Sequence, residues 1–75
     1  MLKKSKAMKV TINDTEIFVF QGARIRDALL AYSPRSLRMV IAGTLSVIDR
    51  FGNLTEPDGP ITEGQQLTLK RTKHL

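Results

Sequence analysis

The chain has no cysteine and a single histidine. The first absence removes disulfide staples, thiolate metal sites, iron–sulfur ligation and thiol nucleophiles together, and the expectation that follows is a protein of the reducing cytoplasm. The histidine, His74, is penultimate, with no serine or carboxylate held near it by a motif, so it is a poor general base. Asp49, Glu56, Asp58 and Glu63 show neither calcium-loop nor HExxH-like spacing, and turn formation accounts for them better than metal binding. There is no glycine-rich phosphate cradle. The expectation is a non-enzymatic protein with no metal and no cofactor. Long apolar runs are also missing: nothing approaches the roughly 20 residues of a membrane span. The basic Lys3, Lys4, Lys6 segment is not followed by the apolar stretch of a secretion signal, so no membrane partner is expected.

What is present in excess is positive charge, with a formal total of +5, and its distribution decides its meaning. From Val10 to Leu69 there are five arginines against seven carboxylates, a balance of −2. The excess lies in the flanks, in Lys3, Lys4, Lys6 and Lys9 and in Lys70, Arg71 and Lys73. Flanks of this kind, without interleaved aromatics to stack on bases, read as solvating extensions before they read as nucleic-acid arms.

Met8, Val10 and Ile12 alternate with Lys9 and Thr11, the period of a strand with one buried face. Asn13-Asp14 tolerates positive φ, so Thr15 to Phe20 is expected to return antiparallel as a hairpin. Ile17-Phe18-Val19-Phe20 is apolar on both faces. One face then packs on a helix, and the other is covered by a tail, a loop or another molecule. After Gly22, the residues Ile25, Ala28, Leu29 and Tyr32 fall at i, i+3, i+4 and i+7, which predicts a helix over about 24–32. Arg24 and Arg26 at its start suit the helix dipole poorly and read as solvated side chains.

Ser33-Pro34 is a restart signal, a capping serine before a proline at the first helical position. Leu37, Val40 and Ile41 followed by Gly43 predict a short second helix over 34–42. The competing reading takes Arg38 to Ala42 as a strand on its β-branched pair. Leu45 to Asp49 reads as a strand that turns at 50–53 and pairs with Leu54-Thr55-Glu56. Residues 57–65, dense in proline, glycine and aspartate, read as a surface loop, and Gln66 to Lys70 as a half-buried last strand.

A strand pair, a helix and later strands ending in a half-buried one resemble the β-grasp, or ubiquitin-like, fold over about 8–71. Lys9-Val10-Thr11-Ile12-Asn13, the run Gly22 to Leu30 and the run Ile61 to Leu69 are similar to the sulfur-carrier proteins of thiamine and molybdopterin synthesis. The resemblance implies a single α+β domain, with a mixed sheet of four to five strands, one main helix and a short second helix. The first and last strands are then parallel neighbours. Residues 1–7 are expected as a basic extension and 72–75 as a tail. Sulfur carriers work through a C-terminal Gly-Gly; the sequence ends Lys73-His74-Leu75, which implies the shape without sulfur carriage.

A domain near this size buries only about 60% of the surface of its unfolded chain, so a partner would stabilise it, and a monomer or weak homodimer is expected. The functional expectation is a protein-interaction module; Phe18 and Phe20 read as a core stripe before they read as a binding surface, and they are its candidate surface residues. The alternative is an RNA-associated accessory module, which the strand at Ile17 to Phe20 and the following glycine loosely resemble through the TGS domain. Its candidate contacts are Lys3, Lys4, Lys6, Lys70, Arg71 and Lys73. Against it stands the parallel placement of first and last strands, which sends the two basic flanks to opposite ends of the sheet.

Overall fold

A computed structural model describes residues 7–72. Alternating strands, two short helices and the turns between them organise it. β1 (Ala7–Ile12) and β2 (Thr15–Phe20) form the first hairpin, in register from Ala7 opposite Phe20 to Ile12 opposite Thr15. Their two-residue turn holds Asn13 and Asp14 at φ 51° and 69°, the left-handed pair that matches strand twist and that these two side chains tolerate best.

α1 (Ile25–Tyr32) and α2 (Pro34–Ile41) follow, so 38–41 is helical and the strand alternative for that segment is wrong. Capping explains the outcome. The Ser33 side chain accepts from the Ser36 N–H at 3.3 Å, and Pro34 occupies the first turn, where its missing N–H costs nothing. At the other end Gly43, at φ 88°, donates to the Val40 carbonyl at 3.0 Å, and the Thr44 N–H reaches Met39 O at 2.8 Å. Those two bonds form a Schellman motif, which offsets the β-propensity of Val40 and Ile41.

β3 (Leu45–Asp49), β4 (Leu54–Thr55) and β5 (Gln66–Arg71) complete a five-stranded mixed sheet of order β2-β1-β5-β3-β4. β1 and β5 lie side by side and parallel, as expected, with Thr11 beside Gln66 and Ile12 beside Leu67. The other neighbouring pairs are antiparallel. The fold is therefore a single α+β domain. Both ends of the described chain extend slightly past the expected strands: Ala7 pairs with Phe20, and the Thr72 N–H donates to Thr44 O at 2.9 Å.

One face of the sheet carries the core. Met8, Val10, Ile12, Val19, Val47 and Leu67 point to it from the strands, and Ile25, Ala28 and Leu29 meet them from α1. Ile61 closes one side from the long loop, while Leu37 and Val40 of α2 and Tyr32 pack at its margin. No side chain among these has an unpartnered buried polar atom.

The start of α1 is joined to the 57–60 loop. Gly59 O accepts from the Ile25 N–H at 3.0 Å and Pro57 O from the Arg26 N–H at 2.8 Å, so loop carbonyls satisfy helix donors that would otherwise be orphaned. The Asp27 carboxylate accepts from the Arg24 N–H at 2.9 Å. The Arg24 guanidinium donates to Asp58 O at 2.8 Å, and that of Arg26 pairs with the Asp58 carboxylate. Both arginines thus clasp a loop more than 30 residues away, where the sequence suggested free side chains.

Candidate functional site

The face of the sheet opposite the helices has no cover among the described residues. From β2 it carries Glu16, Phe18 and Phe20; from β1, Lys9 and Thr11; from β5, Gln66, Thr68 and Lys70; and from the far side, Ser46, Ile48 and Leu54. Phe18 and Phe20 are 63% and 58% exposed, whereas the alternating Ile17 and Val19 turn inward to the core. The sequence-expected pair therefore lies on the outer surface, side by side along one strand. Exposed phenylalanines at i and i+2 contribute nothing to this core, and their hydration is unfavourable by about 25 cal/mol per Å² of apolar area.

β2 is also an edge strand. The bonds of β1 show which of its backbone groups are free. The Thr11 N–H donates to Gln65 O at 3.0 Å, the Asn13 N–H to Leu67 O at 3.0 Å, and Lys9 O accepts from the Gly64 N–H at 2.8 Å. Odd-numbered residues of β1 thus address the β5 side, and even-numbered ones address β2. Their opposites Thr15, Ile17 and Val19 point back at β1, so the N–H and C=O groups of Glu16, Phe18 and Phe20 point out of the sheet. One of these is already used: Phe20 O accepts from the Ala23 N–H at 3.1 Å. The same three residues present apolar or acidic side chains to the outer face and unbonded backbone to the edge.

The electrostatics of this edge are nearly neutral. Glu16 is the one ionisable residue of β2, and its carboxylate lies 3.5 Å from Lys9 Nζ. Both groups are about half exposed, so the pair adds little stability. Its effect is local: among the described residues it leaves no unbalanced charge beside the phenylalanines. The Lys9 N–H itself is held by Glu63 Oε2 at 3.1 Å.

The basic residues assigned to the alternative surface divide. Lys3, Lys4, Lys6 and Lys73 lie outside the described residues. Lys70 and Arg71 are exposed at the end of β5, past the Asn13–Asp14 turn, where Leu69 N–H donates to Asn13 Oδ1 at 3.0 Å. Ala7 stands at the other end of β1, so the two ends of the described chain lie at opposite ends of the sheet.

A small cleft of about 180 Å³ lies between the turn after β3 and the 62–66 loop. It falls below the roughly 300–1,000 Å³ of small-molecule sites. Its acidic member, Asp49, accepts from the N–H groups of Asn53 and Phe51, each at 2.9 Å. Those bonds, Asn53 foremost, hold its carboxyl below the usual carboxylate range despite some desolvation. Asp49 is thus a turn-forming carboxylate, whereas Asp58 pairs with Arg26 and Glu63 accepts from the Lys9 N–H of β1. Among the described residues no group of three potential ligands could hold a metal ion. None of the described helices is long and apolar enough to cross a membrane.

Sequence reasoning missed a second apolar spot. Phe51 and Leu54 are 74% and 70% exposed, with the Arg50 guanidinium 5.0 Å above the Phe51 ring. Their position in a turn and in a two-residue strand hid the signal, since neither has a period long enough to read. No known protein-family profile matches the sequence, and no curated protein is significantly similar to it.

Proposed function

We propose that this chain is a small non-enzymatic β-grasp domain, related in plan to the sulfur carriers, that binds another protein through the β2 edge and the outer face beside it. The observation that carries the reading is the coincidence on one strand of unbonded backbone and two exposed phenylalanines. Edge pairing supplies main-chain hydrogen bonds to an extended partner strand, and the alternate side chains supply specificity. A neutral edge suits this mode, because partner and edge meet without desolvating an unpaired charge. The absence of cysteine favours the cytoplasm as the site of action.

RNA association through the basic flanks is the weaker reading: Lys70 and Arg71 lie at the end of the sheet away from Ala7, which speaks against one continuous basic footprint. The test is capture of proteins by immobilised full-length chain and by a Phe18→Ser, Phe20→Ser double variant, each with and without nuclease. A protein partner is expected to survive nuclease and moderate salt and to be lost with the double variant. Capture that vanishes with nuclease, or that weakens steeply between low and physiological salt, would overturn the reading in favour of nucleic acid.

A further inference from the structure

Taking the β2 edge as a docking surface, an inference that rests on the function proposed above, we propose that its partner is a second copy of this chain, paired antiparallel through β2 about a two-fold axis at Phe18. The argument is one of register. The outward-facing residues are Glu16, Phe18 and Phe20, evenly spaced, with Phe18 at the centre. An antiparallel pair with Phe18 opposite its own copy sets every outward-facing residue against another: Phe18 against Phe18 of the partner subunit, Phe20 against Glu16 of the partner subunit, and Glu16 against Phe20 of the partner subunit. A slip of two residues either way leaves one of the three without an opposite number.

In that register the Phe18 N–H donates to the carbonyl of Phe18 of the partner subunit, and the Phe20 N–H to the carbonyl of Glu16 of the partner subunit, each with its symmetric counterpart. These bonds use only groups that have no partner among the described residues of the single chain. Side chains agree with the backbone. On the outer face the two Phe18 rings become direct cross-strand neighbours, a favourable aromatic pair. On the inner face Ile17 falls opposite Val19 of the partner subunit, apolar against apolar, which continues the core across the axis. Thr15 falls opposite Gln21 of the partner subunit, polar against polar.

Charge presents no obstacle. Glu16 is already matched by its own Lys9 and stands opposite a phenylalanine, so no like charges face each other across the axis. Nor does β2 carry the usual devices against such pairing. Thr15–Phe20 contains no proline, glycine or lysine, and its register with β1 runs through all six residues without a bulge. The product is a continuous ten-stranded sheet, two copies of the five-stranded one, with all helices on one side.

The area available sets the strength. With about 60% of each ring exposed and about 200 Å² per side chain, four phenylalanines offer roughly 500 Å². Adding the strand backbones brings the contact to roughly 1,000 Å², the low end of specific interfaces, so the dimer is concentration dependent.

Sedimentation velocity on the full chain from about 10 μM to about 1 mM, read with amide hydrogen exchange at both ends of the range, tests the proposal. The expected result is a doubling of mass, with the Phe18 and Phe20 amides exchanging more slowly at high concentration. Phe18→Glu, at an exposed position that leaves the fold intact, sets two carboxylates against each other at the axis and weakens association at least tenfold. Phe51→Glu, on the opposite side of the sheet, leaves association unchanged. A chain that stays monomeric throughout, with edge amides exchanging freely, overturns the second copy as partner; Phe18-dependent capture of a different protein would then still stand, so the two failures are distinguishable. A dimer indifferent to Phe18→Glu overturns it as well, because the contact then lies elsewhere. If that variant does not fold, the concentration dependence of the Phe18 and Phe20 amides decides alone.

Discussion

The two edges of this sheet are built differently. At one edge β4 has two residues, Leu54 and Thr55, and Pro57 follows after Glu56, so a neighbouring strand would find almost nothing to pair with. The Thr55 hydroxyl turns inward to Val47 O at 3.0 Å. At the other edge β2 runs six residues in unbroken register and leaves three residues' backbone facing solvent. Short, proline-bounded edges are how sheet proteins avoid unwanted association. The same molecule applies that protection on one side and omits it on the other, and the unprotected side is where its paired phenylalanines lie. A protected edge beside an open one gives association a single direction.

The comparison presumes that both hairpins hang on one core, and the strongest way to break it is to remove a residue that both need. Leu29, fully buried between α1 and the sheet, is such a residue. Leu29→Ala is expected to cost about 2–5 kcal/mol, and thermal or denaturant unfolding should show both hairpins lost in one transition. Two separate transitions would mean that the edges belong to independent units.

The next effect concerns the hairpin that carries the open edge. Asn13 combines φ 51° with a bond from the Leu69 N–H and a longer one to the Tyr32 hydroxyl. Asn13→Ala should therefore cost about 1–3 kcal/mol, from left-handed strain and a lost partner together. Asn13→Gly relieves the strain but not the missing bond, so chemical denaturation of the two variants separates the contributions. Equal losses would show that φ is not the constraint.

At the protected edge the corresponding lever is Asp49, which closes the turn before β4. Its folded-state pKa is depressed, so its contribution is present above the ordinary value of 3.8 and is lost as pH falls from there through the folded value. Unfolding measured against pH should show Asp49→Ala less stable than the parent at neutral pH, with the gap closing in acid below about 4. A gap that persists unchanged in acid would assign the loss to packing.

The smallest stability effect is expected at the open edge itself. Phe18→Ser replaces an exposed side chain and should change unfolding free energy by no more than about 0.5 kcal/mol in dilute solution. A loss of several kcal/mol there would make Phe18 a core residue and remove the contrast between the edges.

Much of this was legible from local rules, because local rules governed it. Alternation at Met8, Val10 and Ile12 located a strand and its buried face. Asn13-Asp14 and Gly43 marked positive φ, and Ser33-Pro34 carried a capping signal strong enough that the helix over 34–41 formed despite Val40-Ile41. Where two signals competed, hydrogen-bond accounting at the helix ends outweighed side-chain propensity. By itself, then, the sequence determined which segments are strands and helices and where each turns, since turn and cap chemistry acts within four or five residues.

What only the tertiary structure decided depended on neighbours distant in the chain. Ile17-Phe18-Val19-Phe20 is apolar on both faces, so no periodicity could say which pair is buried. The register with β1 and the position of α1 turned Val19 inward and left Phe18 and Phe20 outside. Arg24 and Arg26 looked like solvated charges until the fold brought Asp58 against them. Whether β2 is a central strand or an edge depends on strand order, which is set where β5 inserts beside β1. That long-range choice, driven by burial of Leu67 with Ile12 and Val47, left one edge of the sheet open.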